Sequence, residues 1–282
     1  MVKILETPRD AMQGIKKFIP TKAKAKYLNT LLKVGFDSLD FGSFVSPRAI
    51  PQLSDSSEVI ELLHVDSKTE IVATIGNYKG AKRAFMHDKI DTVAYPFSIS
   101  ETFLQKNINS NFEKGKQTIN DILELCSQKN KNLKLYIAMA FGNPYGDMWN
   151  IDILTEWVYT ITKLGVNDIV LADTTGDGSI KNISNSYSAL GKEFPNIDFG
   201  VHLHTHSRNW HDKVNAAYSN GCRSFDSVIG GLGGCPMSGK ALMGNLNTFD
   251  LIDFLEENNE EIRINKNILE KARLESSFIF PL

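Results

Sequence analysis

The segment FGVHLHTHSRNWH, residues 199–211, contains four of the six histidines of this 282-residue chain. Three of them, His202, His204 and His206, alternate with apolar or β-branched residues. On a β-strand this spacing directs all three imidazoles to one face and their neighbours to the other. Burying unpaired imidazoles is costly, so the pattern predicts a ligand or a reaction that uses them. The alternative is a surface strand whose histidines face water.

Other side chains that can do chemistry lie at or just after apolar, β-rich runs. TPRDAMQ follows the first run, SLDFGS is the second, and LADTTGDGS closes the sixth. The eighth run continues into the glycine-rich stretch GGLGGCPMSGKALMGN. The candidate residues at these places are Arg9, Asp10, Gln13, Asp40, Ser43, Asp173, Cys235 and Asn245.

Eight runs of this kind recur and predict eight strands. They begin at residues 2, 38, 71, 92, 134, 168, 198 and 224, so successive starts lie 21 to 42 residues apart. This is the pitch of βα units that each contain one helix. Eight units without a Pro/Gly/Ser-rich linker predict a closed (β/α)8 TIM barrel of the α/β class. The alternative is an open doubly wound sheet, but its glycine-rich phosphate fingerprint is missing after the first strand.

The segments between the runs carry helical periodicity. KAKAKYLNTLLKVG has an alanine–leucine stripe and ends at Gly35, which fits a C-terminal cap. DILTEWVYTITKLG repeats the design, with Asp152 as the expected N-cap and Gly165 at its end. The polar stretch LEENNEEIRINKNILEKARLESS predicts a helical cap on the outside of the barrel.

The composition describes an ordinary globular chain. We expect one catalytic domain over residues 1–282, with a core at about 2–255 and a C-terminal helical segment at 256–282. The net charge of −2 gives no electrostatic reason to bind nucleic acid. No apolar run approaches the ~20 residues that a membrane span needs. Three widely separated cysteines and a strand-like N-terminus without a signal peptide predict a reducing cytoplasm.

Closure of the barrel brings distant residues into one site. The first strand adjoins the eighth in a closed barrel, so Asp10, His202, His204 and Asn245 converge at the carboxyl ends of the strands. Two imidazole nitrogens, a carboxylate oxygen and an amide oxygen suit a divalent ion such as Mg²⁺ or Mn²⁺ with positions left for substrate. Taken singly, Asp10 also fits a turn or helix cap, and Asn245 a turn.

The motifs of the chain resemble those of the 3-hydroxy-3-methylglutaryl-CoA (HMG-CoA) lyases, which are TIM-barrel metallolyases. VKILETPRDAMQ, SFVSPRAIPQ, QKNIN, FGNPYG, ADTTG, GVHLH and GGLGGCPMSGKALMGNLNT occur in that family's order and spacing. The likeness covers roughly residues 2–255, and the cysteine in GGLGGCP distinguishes the lyases from related synthases.

The resemblance implies a role for each candidate residue. Asp10, His202, His204 and Asn245 would bind the metal, Arg9 would stabilise an enolate oxygen, and Cys235 would protonate the enolate from a mobile loop. His202 would also act as the base, with Asp173 supporting it or the substrate hydroxyl. Asp40 occupies a position that is usually glutamate. The substrate contacts that we expect are Gln13, Ser43, Asn107 and Asn109, the last two near the CoA entrance.

The reaction that the resemblance implies is retro-Claisen cleavage of HMG-CoA into acetyl-CoA and acetoacetate, within leucine catabolism. A homodimer with no nucleic-acid or membrane partner is the expected assembly. Four departures from the usual pattern border the substrate: Ala11 for glycine, Asp40 for glutamate, Thr205 for aspartate, and one extra residue between Cys235 and Asn245. They leave open a related carbon–carbon lyase or condensing synthase for another acyl-CoA, or a catalytically silent metal-binding barrel.

Overall fold

Eight parallel strands close into a barrel, with β1 hydrogen-bonded to both β2 and β8. The computed structural model describes residues 1–65, 68–234 and 243–280. All eight predicted strands are present, each starting within two residues of its predicted start, so the TIM-barrel prediction is confirmed. The strands are β1 Lys3–Glu6, β2 Ser38–Ser43, β3 Glu70–Thr74, β4 Thr92–Ser98, β5 Asn132–Ala138, β6 Asp168–Asp173, β7 Phe199–Leu203 and β8 Ser224–Ser227.

Helices follow the strands and surround the barrel. The helices of the described residues are α1 Pro8–Gln13, α2 Thr21–Leu32, α3 Ser56–Glu61, α4 Tyr78–Ala84, α5 Glu101–Ile108, α6 Phe112–Lys129, α7 Ile151–Lys163, α8 Ile180–Glu193, α9 Trp210–Tyr218, α10 Thr248–Glu257 and α11 Lys266–Ile279. Short 3₁₀ turns lie at Pro51–Leu53 and Ile229–Gly231. No helix among the described residues has the length and apolar character that a membrane crossing requires.

Alternate strand residues face two different environments. Residues such as Ile71 and Ala73 pack outward against the helices in the main apolar core. Val72, between them, belongs to a small separate cluster with Leu5 and Ala94 inside the barrel. Burial on both faces explains why the strands read as nearly continuous apolar runs. Polar residues that face the barrel interior are therefore exceptions that need a partner or a function.

Helix boundaries differ from the sequence predictions in three places. Helix α2 ends at Leu32 with Lys33 as its C-cap, so the predicted Gly35 lies two residues beyond the cap. The N-cap of α7 is Asn150 rather than Asp152, because the Asn150 side chain accepts a hydrogen bond from the Ile153 backbone N–H at 2.8 Å. The C-terminal stretch forms two helices, α10 and α11, instead of one. The chain turns between them, where Asn259 adopts a φ of 60°. The expected position on the outside of the barrel is confirmed, since α11 packs against α2.

Candidate metal centre

The turn after β1 brings the first candidates to the carboxyl end of the barrel. Helix α1 begins at Pro8, directly after its N-cap residue Thr7. The fixed φ of proline suits the first position of a helix. Asp10 is buried within this helix. Its Oδ1 accepts hydrogen bonds from Arg9 Nη1, at 2.9 Å, and from Gln13 Nε2. Oδ1 is thus occupied by protein donors, and Oδ2 remains for another ligand.

The two histidines of β7 and its end turn toward Asp10. His202 Nε2 lies 3.5 Å from Asp10 Oδ2, and its Nδ1 lies 3.0 Å from Asp226 Oδ2. His204 Nδ1 lies 2.7 Å from the carbonyl oxygen of Thr174. Because a carbonyl oxygen can only accept, His204 carries a proton on Nδ1, and the neutral ring then has its lone pair on Nε2. His206, by contrast, lies beyond the strand and is exposed.

An isolated antiparallel β-bridge places Asn245 beside His204. Residue 245 pairs with His204, and the backbone N–H of Leu246 donates to the Leu203 carbonyl at 3.1 Å. The Asn245 Nδ2 donates to the Leu232 carbonyl at 2.7 Å. A Cβ on Gly233, whose φ is +91°, would lie 2.6 Å from the backbone oxygen of Asp10. The glycine therefore permits a close approach of this segment to the site.

The four predicted ligands fit a divalent cation. Asp10, His202 and His204 each offer an atom within 4.8 Å of the others. Two buried atoms of the set have no hydrogen-bond partner in the structure, namely His204 Nε2 and Asn245 Oδ1. Buried acceptors without partners are costly, and a cation bound between them would remove that cost. The donor atoms of the set, two imidazole nitrogens and two oxygens, are of the kinds that bind divalent cations.

The electrostatics of the centre also favour a bound cation. Burial opposes ionisation of Asp10, but Arg9 and the two histidines outweigh it and lower the pKa of this carboxyl. Burial opposes protonation of His202, but Asp226 and Asp10 outweigh it and raise its pKa. Burial and the nearby His202 lower the pKa of His204. The ionised form of Asp10 and the neutral form of His204 are thus favoured, as metal binding requires, whereas a cation bound to His202 has to compete with a proton on its ring.

Arg9 and Asp40 form a second buried pair beside the metal candidates. Arg9 Nε and Nη2 both lie 2.8 Å from Asp40 Oδ2, which also accepts from Thr74 Oγ1 at 3.1 Å. A register shift in β2 between Asp40 and Gly42 accompanies this placement. Burial raises the pKa of Asp40, although Arg9 opposes the rise. Asp40 Oδ1 is buried without a hydrogen-bond partner and remains free to accept a proton or a hydrogen bond.

The predicted partnership of Asp173 with His202 is wrong. Ala172, not Asp173, is the neighbour of His202 in the β6–β7 register, and Asp173 pairs with Leu203. Because side chains alternate along a strand, Asp173 points away from the face that carries His202. Its Oδ2 instead lies 2.5 Å from Lys213 Nζ, and its Oδ1 accepts from the Gly178 backbone N–H at 2.9 Å.

Asp226 is the partner of His202 that the sequence prediction missed. It stands beside His202 in the β7–β8 register, and the Tyr136 hydroxyl donates to the same Oδ2 at 2.8 Å. This carboxylate orients the ring and directs Nε2 toward Asp10. His202 therefore has no free nitrogen to serve both as a metal ligand and as the base. The sequence signal was a carboxylate in the middle of a predicted barrel strand, SFDS, because a charge buried there needs a partner.

The other predicted substrate contacts lie in several places. Gln13 lies between Asp10 and the Gly234 carbonyl, which its Nε2 reaches at 3.4 Å. Ser43 is buried at the end of β2, and its hydroxyl donates to the Thr74 carbonyl at 3.1 Å. Asn107 and Asn109 lie at the C-terminal end of α5, where Asn109 has a φ of 51°. Cys235 lies outside the described residues.

A closed (β/α)8 barrel with a two-histidine, carboxylate and amide cluster at its carboxyl end defines a candidate metal-dependent barrel enzyme. The sequence profile of the HMGL-like family matches residues 2–273, so the chain belongs to that family.

Similar proteins agree with this assignment. The chain is 31% identical over 256 residues to the mitochondrial hydroxymethylglutaryl-CoA lyase of Homo sapiens, covering 90% of this chain and 78% of that protein. It is 30% identical over 255 residues to the cytoplasmic 3-hydroxy-3-methylglutaryl-CoA lyase of Rattus norvegicus, covering 90% and 74%. A solved HMG-CoA lyase of Acinetobacter baumannii, in complex with coenzyme A and 3-methylmalate, superposes with a TM-score of 0.92 at 29% identity, covering 99% and 91%.

Proposed function

We propose that this protein is a carbon–carbon lyase that cleaves HMG-CoA into acetyl-CoA and acetoacetate. The observation that carries the proposal is the convergence of Asp10, His202, His204 and Asn245 in a barrel of the HMGL-like family. Asp10 Oδ2, His202 Nε2, His204 Nε2 and Asn245 Oδ1 are the atoms that would hold a divalent cation. When bound, Mg²⁺ or Mn²⁺ would supply Lewis acidity toward the hydroxyl and carboxylate oxygens of the substrate.

Asp40 is our candidate for the base that removes the hydroxyl proton. Its Oδ1 is buried and unpartnered, and burial raises its pKa toward the range in which a carboxylate accepts protons efficiently. Once the hydroxyl loses its proton, the oxygen forms the carbonyl of acetoacetate as the adjacent carbon–carbon bond breaks. The bonding electrons pass to the acetyl fragment as the enolate of its thioester. Asp40 thus takes the role of base that was predicted for His202. In His202, Nδ1 contacts Asp226 and Nε2 is a proposed metal ligand.

Arg9 is the candidate for stabilising the negative oxygen of that enolate. Burial opposes its charge, but Asp40 and Asp10 outweigh the burial and raise its pKa, so the guanidinium is permanently charged. Its side chain remains 13% exposed, which leaves it within reach of a substrate oxygen. A fixed donor of this kind is worth about 3 kcal/mol in a water-excluded site. Cys235 remains, from the sequence, the predicted donor of the proton that completes acetyl-CoA.

The finer assignments rest on different kinds of support. The coenzyme A named in the A. baumannii complex supports an acyl-CoA substrate for this chain. Gln13 is the substrate contact with the most support, because it touches Asp10. Ser43, Asn107 and Asn109 remain predictions from the resemblance, as do the homodimer, the role in leucine catabolism and a single domain over 1–282. Cytoplasmic location rests on cysteine usage, since relatives named cytoplasmic and mitochondrial both match.

The test is release of acetyl-CoA and acetoacetate from HMG-CoA by the purified protein. We expect turnover that EDTA abolishes and that Mg²⁺ or Mn²⁺ restores. A small panel of other acyl-CoA substrates is assayed in parallel. It tests whether a chain that departs from the usual family pattern at Asp40, Ala11 and Thr205 prefers another substrate. If the protein cleaves or condenses another acyl-CoA faster than it cleaves HMG-CoA, that acyl-CoA is the substrate. Metal binding without turnover on any of them would identify a silent barrel.

A further inference from the structure

Lys213 is a buried cation that the proposed reaction does not use. It lies on α9 with 3% of its surface exposed. Its Nζ donates to Asp173 Oδ2 at 2.5 Å, to the Gly176 carbonyl at 2.7 Å and to the His204 carbonyl at 3.2 Å. An ammonium group has three N–H donors, so these contacts use all of them. Lys213 is therefore committed to the protein and is neither a nucleophile nor a base.

The acceptors of Lys213 lie next to both partners of the hydrogen bond that orients the His204 ring. That bond joins His204 Nδ1 to the Thr174 carbonyl at 2.7 Å. One acceptor is the carbonyl of His204 itself, and the others, Asp173 and Gly176, flank Thr174. The Lys213 ammonium thus binds both the backbone of His204 and the loop that contains Thr174, the hydrogen-bond acceptor of the His204 ring.

Asp173 extends this connection through the loop that carries Thr174. Its Oδ1 accepts from the Gly178 backbone N–H at 2.9 Å, and its carbonyl accepts from the Gly176 N–H at 3.1 Å. The backbone N–H of Met139 donates to Thr174 Oγ1 at 3.0 Å from the neighbouring loop. The Asp173–Lys213 pair thus holds the loop on both sides of Thr174, whose carbonyl lies 2.7 Å from His204 Nδ1.

We propose that Lys213, paired with Asp173, is a positioning residue that holds His204 in its Nδ1–H tautomer and so sets the metal affinity of the centre. Its Nζ contacts the backbone carbonyl of His204 and none of the four proposed ligand atoms. The inference rests on the proposed function only in assigning His204 as a metal ligand. Outer partners that orient ligating histidines typically contribute a factor of about 10–100 in metal affinity.

The competing explanation is that the Lys213–Asp173 pair only stabilises the fold. A matched control separates the two explanations, because Lys24 and Asp55 form a second buried pair at 2.6 Å. Lys24 is 1% exposed, and its Nζ also donates to a backbone carbonyl, that of Gln52. This pair joins α2 to the residue before α3 and has no contact with the metal candidates. Lys24→Met therefore removes a similar buried cation away from the centre.

The experiment measures Mn²⁺ affinity and histidine tautomers in the protein without substrate. We compare the wild type with Lys213→Met, Lys213→Met/Asp173→Asn and Lys24→Met. Mn²⁺ binding is titrated by electron paramagnetic resonance, and the tautomers are read from imidazole ¹⁵N spectra of metal-free, histidine-labelled protein. The double variant removes the carboxylate that Lys213→Met leaves unpaired, so it remains informative if the single variant fails to fold.

We expect Lys213→Met and the double variant to lose about 10- to 100-fold in Mn²⁺ affinity and the Nδ1–H signature of His204. Lys24→Met should melt at a lower temperature and bind Mn²⁺ within twofold of the wild type. A folded double variant with wild-type affinity and a wild-type His204 spectrum would overturn the inference. If the wild type binds Mn²⁺ but does not cleave HMG-CoA, only the proposed function fails. If it binds no Mn²⁺, the inference that Lys213 sets metal affinity is overturned, whatever the His204 spectrum shows.

Discussion

The two ends of the barrel both contain buried or half-buried ionisable groups, but these groups are paired at one end and only partly paired at the other. At the amino end of the strands, Glu70 accepts hydrogen bonds from Ser38 and Thr92, and Lys134 lies 2.7 Å from Asp168 Oδ2. At the carboxyl end, three buried atoms have no hydrogen-bond partner. These atoms are Asp40 Oδ1, His204 Nε2 and Asn245 Oδ1.

The difference separates structural polar groups from functional ones. A buried polar group without a partner destabilises the fold, and a bound ligand can supply the missing interaction. Among the described residues, two further buried atoms without a partner, Ser186 Oγ and Glu275 Oε2, lie on the outer helices α8 and α11, so the contrast applies to the two ends of the strands and not to the whole molecule. The paired groups of the amino end already satisfy one another and need no ligand. We therefore expect the reaction at the carboxyl end of the strands, where the active sites of this fold generally lie.

The largest effect should come from Arg9, the cation at the carboxyl end. We expect Arg9→Ala to reduce kcat for HMG-CoA cleavage about 10²–10³-fold, because it removes a fixed charge that acts on the developing enolate. Steady-state kinetics measure the loss, and circular dichroism checks the fold. An Arg9→Ala enzyme with near-normal kcat would remove this residue from the mechanism.

His204 tests the metal ligands within the same histidine-rich segment. We expect His204→Ala to weaken Mn²⁺ binding by more than ~100-fold, since a direct ligand should matter more than an outer partner. His206→Ala is the matched control, because this exposed residue shares the alternating spacing but lies beyond the strand. Isothermal titration would show an unchanged affinity for the control. Equal losses in both variants would contradict the ligand set.

Lys134 tests the amino end of the barrel. We expect Lys134→Met to lower the free energy of unfolding by about 1–2 kcal/mol, because Asp168 is left unpaired but keeps partial solvation. The Asp168 side chain is 38% exposed, which limits the loss. Denaturant unfolding measures the change. The turnover number and Mn²⁺ affinity should stay within twofold of the wild type, and a large loss of either would erase the distinction between the two ends.

Glu6 sharpens the comparison, because it is a buried carboxyl at the carboxyl end that is fully partnered. Its oxygens accept from the Ile229 N–H at 2.8 Å and from Thr248 Oγ1 at 2.6 Å. Burial raises the pKa of Glu6 to about 8. The folded state therefore holds a proton that the unfolded state loses above its ordinary pKa of 4.5, so folding stability falls as pH rises between these values.

Glu6→Gln should remove this pH dependence of stability. We expect the wild type to lose at most about 1.4 kcal/mol of stability per pH unit from this group, and the variant to lose none of it. The two proteins should unfold alike near pH 5, and the variant should be the more stable at pH 8. Thermal unfolding across this range measures the difference, and parallel pH profiles would show that Glu6 is ionised in the folded protein.

The sequence was sufficient for the barrel because its signals are local. The β2 and β6 runs begin where predicted, since apolar runs bounded by turns fix a buried strand within a few residues. Eight consecutive βα units then predict that the sheet closes into a barrel. The N-cap of α7 was misplaced by two residues, because both Asn150 and Asp152 are good caps and only the backbone distinguishes them.

The partners of the site could not be predicted from the sequence, because they depend on register between distant strands. Asp173 and Asp226 are both acidic residues of strands that flank β7, and the sequence alone does not state which faces His202. Alternation and register decide in favour of Asp226. Lys213 appears in the sequence as one more helix lysine, and only its burial against Asp173 reveals its connection to the centre.

The central claim is that Asp10, His202, His204 and Asn245 share one divalent cation at the carboxyl end of the barrel. Anomalous diffraction from a crystal soaked in manganese tests it most directly. We predict one strong anomalous peak bonded to Asp10 Oδ2 and to Nε2 of both histidines, next to Asn245 Oδ1. A crystal with no peak there, or with manganese only among the paired groups of the amino end, would contradict the account.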